Sequence, residues 1–167
     1  MTRPEDFDAI RNLKADYFRY LDAKNWPGLR SLFHADAIFG GFPFGTENAD
    51  DFVRSVSGFL HDVESVHQGF MPRLAATPDG TVRGVWSMHD YLLWPRDSRD
   101  YRGARVPGLY GIRGYGFYEE EYRRLNGCWR ISVMRLVRTR IDLLAGDQTR
   151  PPMSSLIEAT PDWIPDA

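Results

Sequence analysis

The sequence predicts an α+β fold, with three N-terminal helices packed on one face of a curved, mostly antiparallel sheet. Two observations carry this. Ahead of Leu60, apolar side chains recur at helical spacing. Beyond Thr81 they alternate, and the turn signals Pro78-Asp79-Gly80 and Asn126-Gly127 divide the alternation into long strands. Such a sheet is expected to curl into a cone with one open mouth.

Each element has its own signal. Thr2-Arg3-Pro4-Glu5 reads as a capping box with proline in the first turn. Behind it Phe7, Ile10, Leu13, Tyr17, Phe18 and Leu21 form a stripe, which predicts a helix over about 3–24. Asn25 caps a second helix carrying Leu29, Leu32 and Phe33. A short strand over Ala37 to Gly40 and the apolar turn Phe42-Pro43-Phe44-Gly45 follow. Asn48 or Asp50 opens a third helix with Phe52, Val53, Val56, Phe59 and Leu60. The segment holding Val66, His67, Phe70 and Leu74 becomes strand by its end. Thr81 to Leu93 alternates and puts Trp86, Met88, Asp90 and Leu92 on one face. Pro95 to Gly108 is polar and arginine-rich, a loop. Leu109 to Arg124 is a strand whose Gly111, Gly114 and Gly116 mark bulges or room for a ligand. Cys128 to Ile141 is the last strand. The domain is expected over 1–143. The stretch 144–167, with Pro151, Pro152, Pro161 and Pro165, reads as a tail over the body or a partner.

Composition bounds the function. A chain of 167 residues, 43% hydrophobic, makes one domain with a real core. A net charge of −2 excludes the basic footprint of a dedicated nucleic-acid binder. Lys14 and Lys24 are the lysines among 21 basic residues, so arginine dominates, the better residue for fixing a carboxylate or an aromatic ring. Aromatics reach 14% and serve both cores and pockets for flat ligands. Phe7, Phe18, Phe33, Phe52, Phe59 and Trp129 fall on core stripes. Tyr17, Trp86, Tyr115, Tyr118, Phe42 and Phe44 are left for a pocket. The lone Cys128 excludes a disulfide framework and reads as a buried thiol. The acidic N-terminus lacks a signal-peptide pattern, and no run reaches the length of a membrane span. A soluble, cytoplasmic protein is expected, with neither nucleic acid nor membrane as partner.

Phosphate-binding glycine loops and a Gly-x-Ser-x-Gly elbow are absent from the sequence. His34, His61, His67 and His89 form none of the common metal spacings, so no metal is assigned.

The stretch Tyr17 to Leu29 (YFRYLDAKNWPGL), then Val66-His67, and finally Gly127-Cys128-Trp129-Arg130-Ile131 resemble the SnoaL-like group of the NTF2-like superfamily, from about Phe7 to Ile141. The resemblance implies a cone-shaped α+β fold. Within the group the chain is similar to scytalone dehydratase and to bile acid 7α-dehydratases. That implies a pairing of Asp22 with His67, supported by Tyr17 and Asp90. Trp86 stands where scytalone dehydratase has a second histidine. The same family register turns Met134, Leu136 and Arg138 toward the cavity, where Arg138 anchors a carboxylate or pairs with Asp90. Hexachlorocyclohexane dehydrochlorinase shares the Asp–His pair, so these residues do not specify the leaving group.

The residue chemistry fits. Histidine exchanges protons near neutrality, and a carboxylate on the far ring nitrogen fixes its tautomer. A carboxylate beside Trp86 and Met88 is either paired or has a raised pKa, as a general acid would. The expected catalytic residues are therefore His67, Asp22, Tyr17 and Asp90, and the expected substrate-binding residues are Trp86, Tyr118, Met134 and Arg138. The expectation is a cofactor-independent lyase, a dehydratase acting on a small hydrophobic cyclic, aromatic or steroid-like substrate, in a homo-oligomer (trimer or dimer). Carbon–carbon cleavage by retro-aldol release of an aldehyde, ketosteroid-isomerase-like proton shuttling, a non-catalytic subunit like the beta subunit of ring-hydroxylating dioxygenases, and a binding module without chemistry stay open.

Overall fold

The computed structural model describes residues 2–147. Helices α1 (Pro4–Asp22) and α2 (Trp26–Ser31) precede strand β1 (Phe33–Gly40). Helix α3 (Ala49–Phe59) follows, then four long strands: β2 (Glu64–Ala76), β3 (Val82–Leu93), β4 (Gly111–Leu125) and β5 (Cys128–Leu144). The sheet order is β1-β5-β4-β3-β2. β1 runs parallel to β5, and every other neighbouring pair is antiparallel. This is the α+β arrangement the sequence predicts. β1 starts four residues earlier than expected, where Leu32 accepts from the Ile131 amide at 2.9 Å and joins the helical layer to β5. The prolines expected to form a tail lie outside the described residues.

Local chemistry sets the helix ends. Asp6, rather than Glu5, closes the first turn of α1: its carboxylate accepts from the Arg3 amide at 2.8 Å. Pro4 is the first helical residue, which moves the capping box one position along the chain. α1 stops where Lys24 takes a left-handed φ of 56° and the Asn25 amide reaches back to Tyr20 O at 2.8 Å. The Lys24 ammonium then donates to the carbonyls of Leu60 (2.7 Å) and Val63 (2.6 Å) beyond α3. The C-terminal ends of two helices are thereby tied together, and Asp22 is held beside β2. Asn25 and Asn48 cap α2 and α3 by accepting from Gly28 N and Asp51 N.

The core lies between the helices and the inward face of the sheet. Ile10, Leu29, Phe33, Phe52 and Ile131 are all within 2% of full burial there. Phe39 and Phe52 stack with ring centroids 4.0 Å apart. A buried ion pair interrupts this core. Lys14 Nζ lies 2.5 Å from Glu120 Oε1, and both side chains are 0% exposed. Tyr122 donates its hydroxyl to Glu120, and Trp86 Nε1 donates to Tyr122 Oη at 2.8 Å. The Lys14 ammonium sits 3.7 Å from the Tyr118 ring centroid and 4.0 Å from that of Tyr17. Val66, Phe70, Val85 and Phe117 alternate to the opposite face of the sheet and are exposed. Cys128 is exposed as well, contrary to expectation: it opens β5 beside the turn, and alternation buries Trp129 instead. No helix among the described residues is long and apolar enough to cross a membrane.

Candidate active site

Asp22 is the last residue of α1. A carboxylate at a helix C-terminus faces the unfavourable end of the dipole and needs compensation. Three hydrogen bonds supply it. Oδ2 accepts from the His67 amide at 2.8 Å. Oδ1 meets the Ser65 hydroxyl at 2.9 Å and His67 Nδ1 at 2.6 Å. A carboxylate oxygen in this position accepts from the ring, so the neutral His67 tautomer that fits has its proton on Nδ1. Nε2 is left with its lone pair, and His67 lines a cavity of about 530 Å³.

The strand register brings the next group. His67 on β2 pairs with Asp90 on β3, and Asp90 with Gly114 on β4. Arg138 reaches from β5 and grips Asp90 through two parallel bonds, Nη1 to Oδ1 at 2.8 Å and Nη2 to Oδ2 at 2.5 Å. Gly114 makes this possible. A Cβ there would stand 1.7 Å from Arg138 Nη1 and 2.1 Å from Asp90 Oδ1. Burial works against the Arg138 cation, but the hydrogen bonds and charge of Asp90 hold its pKa above the ordinary value. Asp90 is therefore committed to an arginine. Of the two environments its sequence context allowed, the paired one is realised.

Tyr17 and Tyr118 complete the polar wall of the cavity, with rings crossing edge to face at 5.8 Å. Burial raises both phenol pKa values, and for Tyr118 the nearby Asp90 charge adds to the effect. Both stay protonated across the neutral range and act as donors. Leu21, Phe44, Val56, Phe59, Leu92 and Leu136 are among the apolar walls. Among the described residues no three His, Cys, Asp or Glu side chains gather as a metal site.

A family model described as a SnoaL-like domain matches residues 2–135. The chain belongs to the SnoaL-like family. Its fold is similar to that of hexachlorocyclohexane dehydrochlorinase from Novosphingobium barchaimii, with a TM-score of 0.71, 21% identity and coverage of 89% of this chain and 96% of that one. It is also similar to a scytalone-dehydratase-like protein from Novosphingobium aromaticivorans, with a TM-score of 0.69, 16% identity and coverage of 91% and 95%. At such identities the likeness is one of fold.

The SnoaL-like fold gathers Tyr17, His67, Asp90, Tyr118 and Arg138 around one cavity, with Asp22 behind His67. It does not bring Trp86 and Met134 to the cavity wall. Trp86 is 6% and Met134 0% exposed, and both lie in the core. Each occupies the expected face but stands four residues along its strand from Asp90 or Arg138, about 13 Å at the rise of a strand. Trp86 serves the Tyr122–Glu120 network instead. Tyr115 stacks on His89 at 4.9 Å, away from the cavity. Phe59, expected in the core, lines the cavity, as do Phe42 and Phe44. The alternative between the two arginines of β5 is also resolved: Arg135 pairs with Glu119 at 2.7 Å and is 61% exposed. Sequence reasoning missed Ser65, two residues before His67, where period-2 alternation could have indicated it. It also missed the cavity residues Trp94, just beyond β3, and Tyr101 and Arg102, which belong to an aperiodic loop.

Proposed function

We propose that the protein is a cofactor-independent lyase that eliminates water from a hydrophobic cyclic substrate carrying a carbonyl. The observation that carries this reading is the triple-bonded Asp22 carboxylate, which fixes the tautomer of His67 and frees Nε2 in the cavity. Nε2 takes the proton α to the carbonyl. The C–H electrons form the new double bond, and the bond to the β-hydroxyl breaks with its pair on oxygen. The imidazolium returns its proton to that oxygen, so water leaves and the enzyme is restored. Tyr17 and Tyr118 donate to the carbonyl oxygen as it gains charge. Arg138 uses two of its five N–H bonds on Asp90 and keeps others for the substrate. Positioned acid–base catalysis of this kind contributes about 10²–10⁴ in rate. Both enzyme names among the similar folds, a dehydrochlorinase and a dehydratase, denote eliminations, which supports the class.

The test is a panel of cyclic β-hydroxy ketones, followed by the absorbance of the conjugated product. Turnover by the wild type should fall by about 10²–10⁴ in His67→Ala. Equal turnover by the two proteins would remove His67 from the reaction.

A further inference from the structure

Three arginines line the cavity: Arg99, Arg102 and Arg138. Two already have a carboxylate partner within the protein. Arg138 forks onto Asp90, and Arg99 pairs with Asp62 while donating to the Phe59 carbonyl at 2.9 Å. Arg102 has no carboxylate partner among the described residues. Its neighbour is the ring of Tyr101, with the guanidinium carbon 5.5 Å from the centroid. Asp100, also in the wall, lies 3.8 Å from Arg105.

The backbone under Arg102 is unusual. Tyr101 and Ala104 exchange two hydrogen bonds, at 3.0 and 2.9 Å, and enclose Arg102 and Gly103 in the tightest of hairpins. The enclosed residues have φ of 50° and 76°. Two positive φ values are the mark of a type I′ turn, where Asn and Gly are the ordinary occupants. An arginine at the first position is strained, and strain of this kind persists where the surroundings hold it. They do so here. Arg99 latches the loop to α3. Asp97 Oδ1 accepts from Gly108 N at 2.8 Å, and Arg105 donates to Asp97 O at 3.0 Å. Arg102 is exposed and so marks the rim, while His67, Tyr17 and Tyr118 are buried or nearly so at the other polar end. Apolar walls join the two ends.

From this we infer that the substrate is amphipathic: an apolar ring system whose trailing end carries an anionic group, paired by Arg102 at the rim while the reacting ring lies against His67. The orientation rests on the proposed role of His67, and the anion preference does not. Carboxylate and phosphate ester share the required chemistry.

The experiment uses binding, read by the fluorescence of three probes: 2-naphthol, 6-hydroxy-2-naphthoate and 2-naphthyl phosphate. The wild type should bind the two anions more tightly than the neutral naphthol, with the margin narrowing as salt is raised. Arg102→Asn is the decisive variant, because asparagine tolerates the left-handed conformation and the turn should melt no lower than before. It should weaken an anionic probe about fivefold to tenfold and leave 2-naphthol within about twofold. Arg102→Lys, which keeps a point charge, should recover part of the loss. The preference should survive in His67→Ala, which separates this inference from the reaction. No preference in the wild type, or equal weakening of all three probes in Arg102→Asn, would overturn it. Retention of the carboxylate preference alone in Arg102→Asn would overturn it for carboxylates and assign that group to Arg138.

Discussion

The two ends of the inner sheet face each carry acids and bases, in opposite states. At the closed end, Lys14 and Glu120 are both 0% exposed, with Tyr122, Trp86 and the Tyr17 and Tyr118 rings around them. At the cavity end neither pair is sealed: His67 is 7% and Asp22 27% exposed, Asp90 is 1% and Arg138 22%, and His67, Asp90 and Arg138 line the cavity. A charge sealed from water must find all its partners inside the protein, and such a pair stabilises little relative to apolar packing. It does demand one arrangement. Lys14 stands about one turn before Tyr17 on α1, and Glu120 two residues after Tyr118 on β4. Their pairing sets Tyr17 against Tyr118 and sends the end of α1 toward His67. The closed end thus holds a register, and the open end keeps capacity for a ligand.

The contrast can be broken by substitution. The largest effect is expected from Asp22→Asn, which removes the acceptor charge behind His67. Turnover should drop by about 10²–10⁴ while the melting temperature hardly moves. A large loss of stability with normal turnover would reverse the roles of the two ends. Next, Lys14→Met leaves a buried carboxylate alone and should cost about 3–5 kcal/mol in denaturant unfolding. Lys14→Met with Glu120→Gln removes both charges, keeps an acceptor for Tyr122, and should recover most of that loss. A double variant as unstable as the single one would show that the pair itself stabilises the fold.

A smaller effect is one of pH. Burial lowers the Lys14 pKa to about 8 from its ordinary 10.5, although Glu120 pulls it upward. Between those values the unfolded chain binds the proton more tightly than the folded one. Stability therefore gains from Lys14 as pH rises from about 8 toward 10.5. The melting temperature of the wild type minus that of the double variant should climb across that window, and a flat difference would contradict the assignment. The smallest effect is expected from Ser65→Ala. It removes one of three bonds to Asp22 and should slow turnover about fivefold, on the order of 1 kcal/mol.

Much of the site was legible in the chain. Asp22 ends a helical stripe and His67 sits on the strand after α3, so pattern and resemblance together led to the pair. In the sequence Gly114 marks a bulge or room for a ligand, and the structure fills that room with the protein's own Asp90–Arg138 fork. Trp86 and Met134 show where pattern reasoning stops. Period-2 alternation assigns a side chain to a face, and both are on the correct face. It does not say how far along the strand the cavity extends. The Lys14–Glu120 pair was invisible for a related reason: the two residues are 106 positions apart, and a lysine on a helix ordinarily lies in water.

The sequence by itself determined the element order, the α+β class, the helix caps and the identity of the residues able to move a proton. These depend on periodicity and on short-range hydrogen bonds, which are local properties of a chain. Tertiary structure alone decided which carboxylate meets which cation, that Asp90 is gripped by Arg138, and where the cavity ends. Those outcomes depend on strand register and on the seating of α1 over β4, because a shift of one position would turn every inward side chain to the other face.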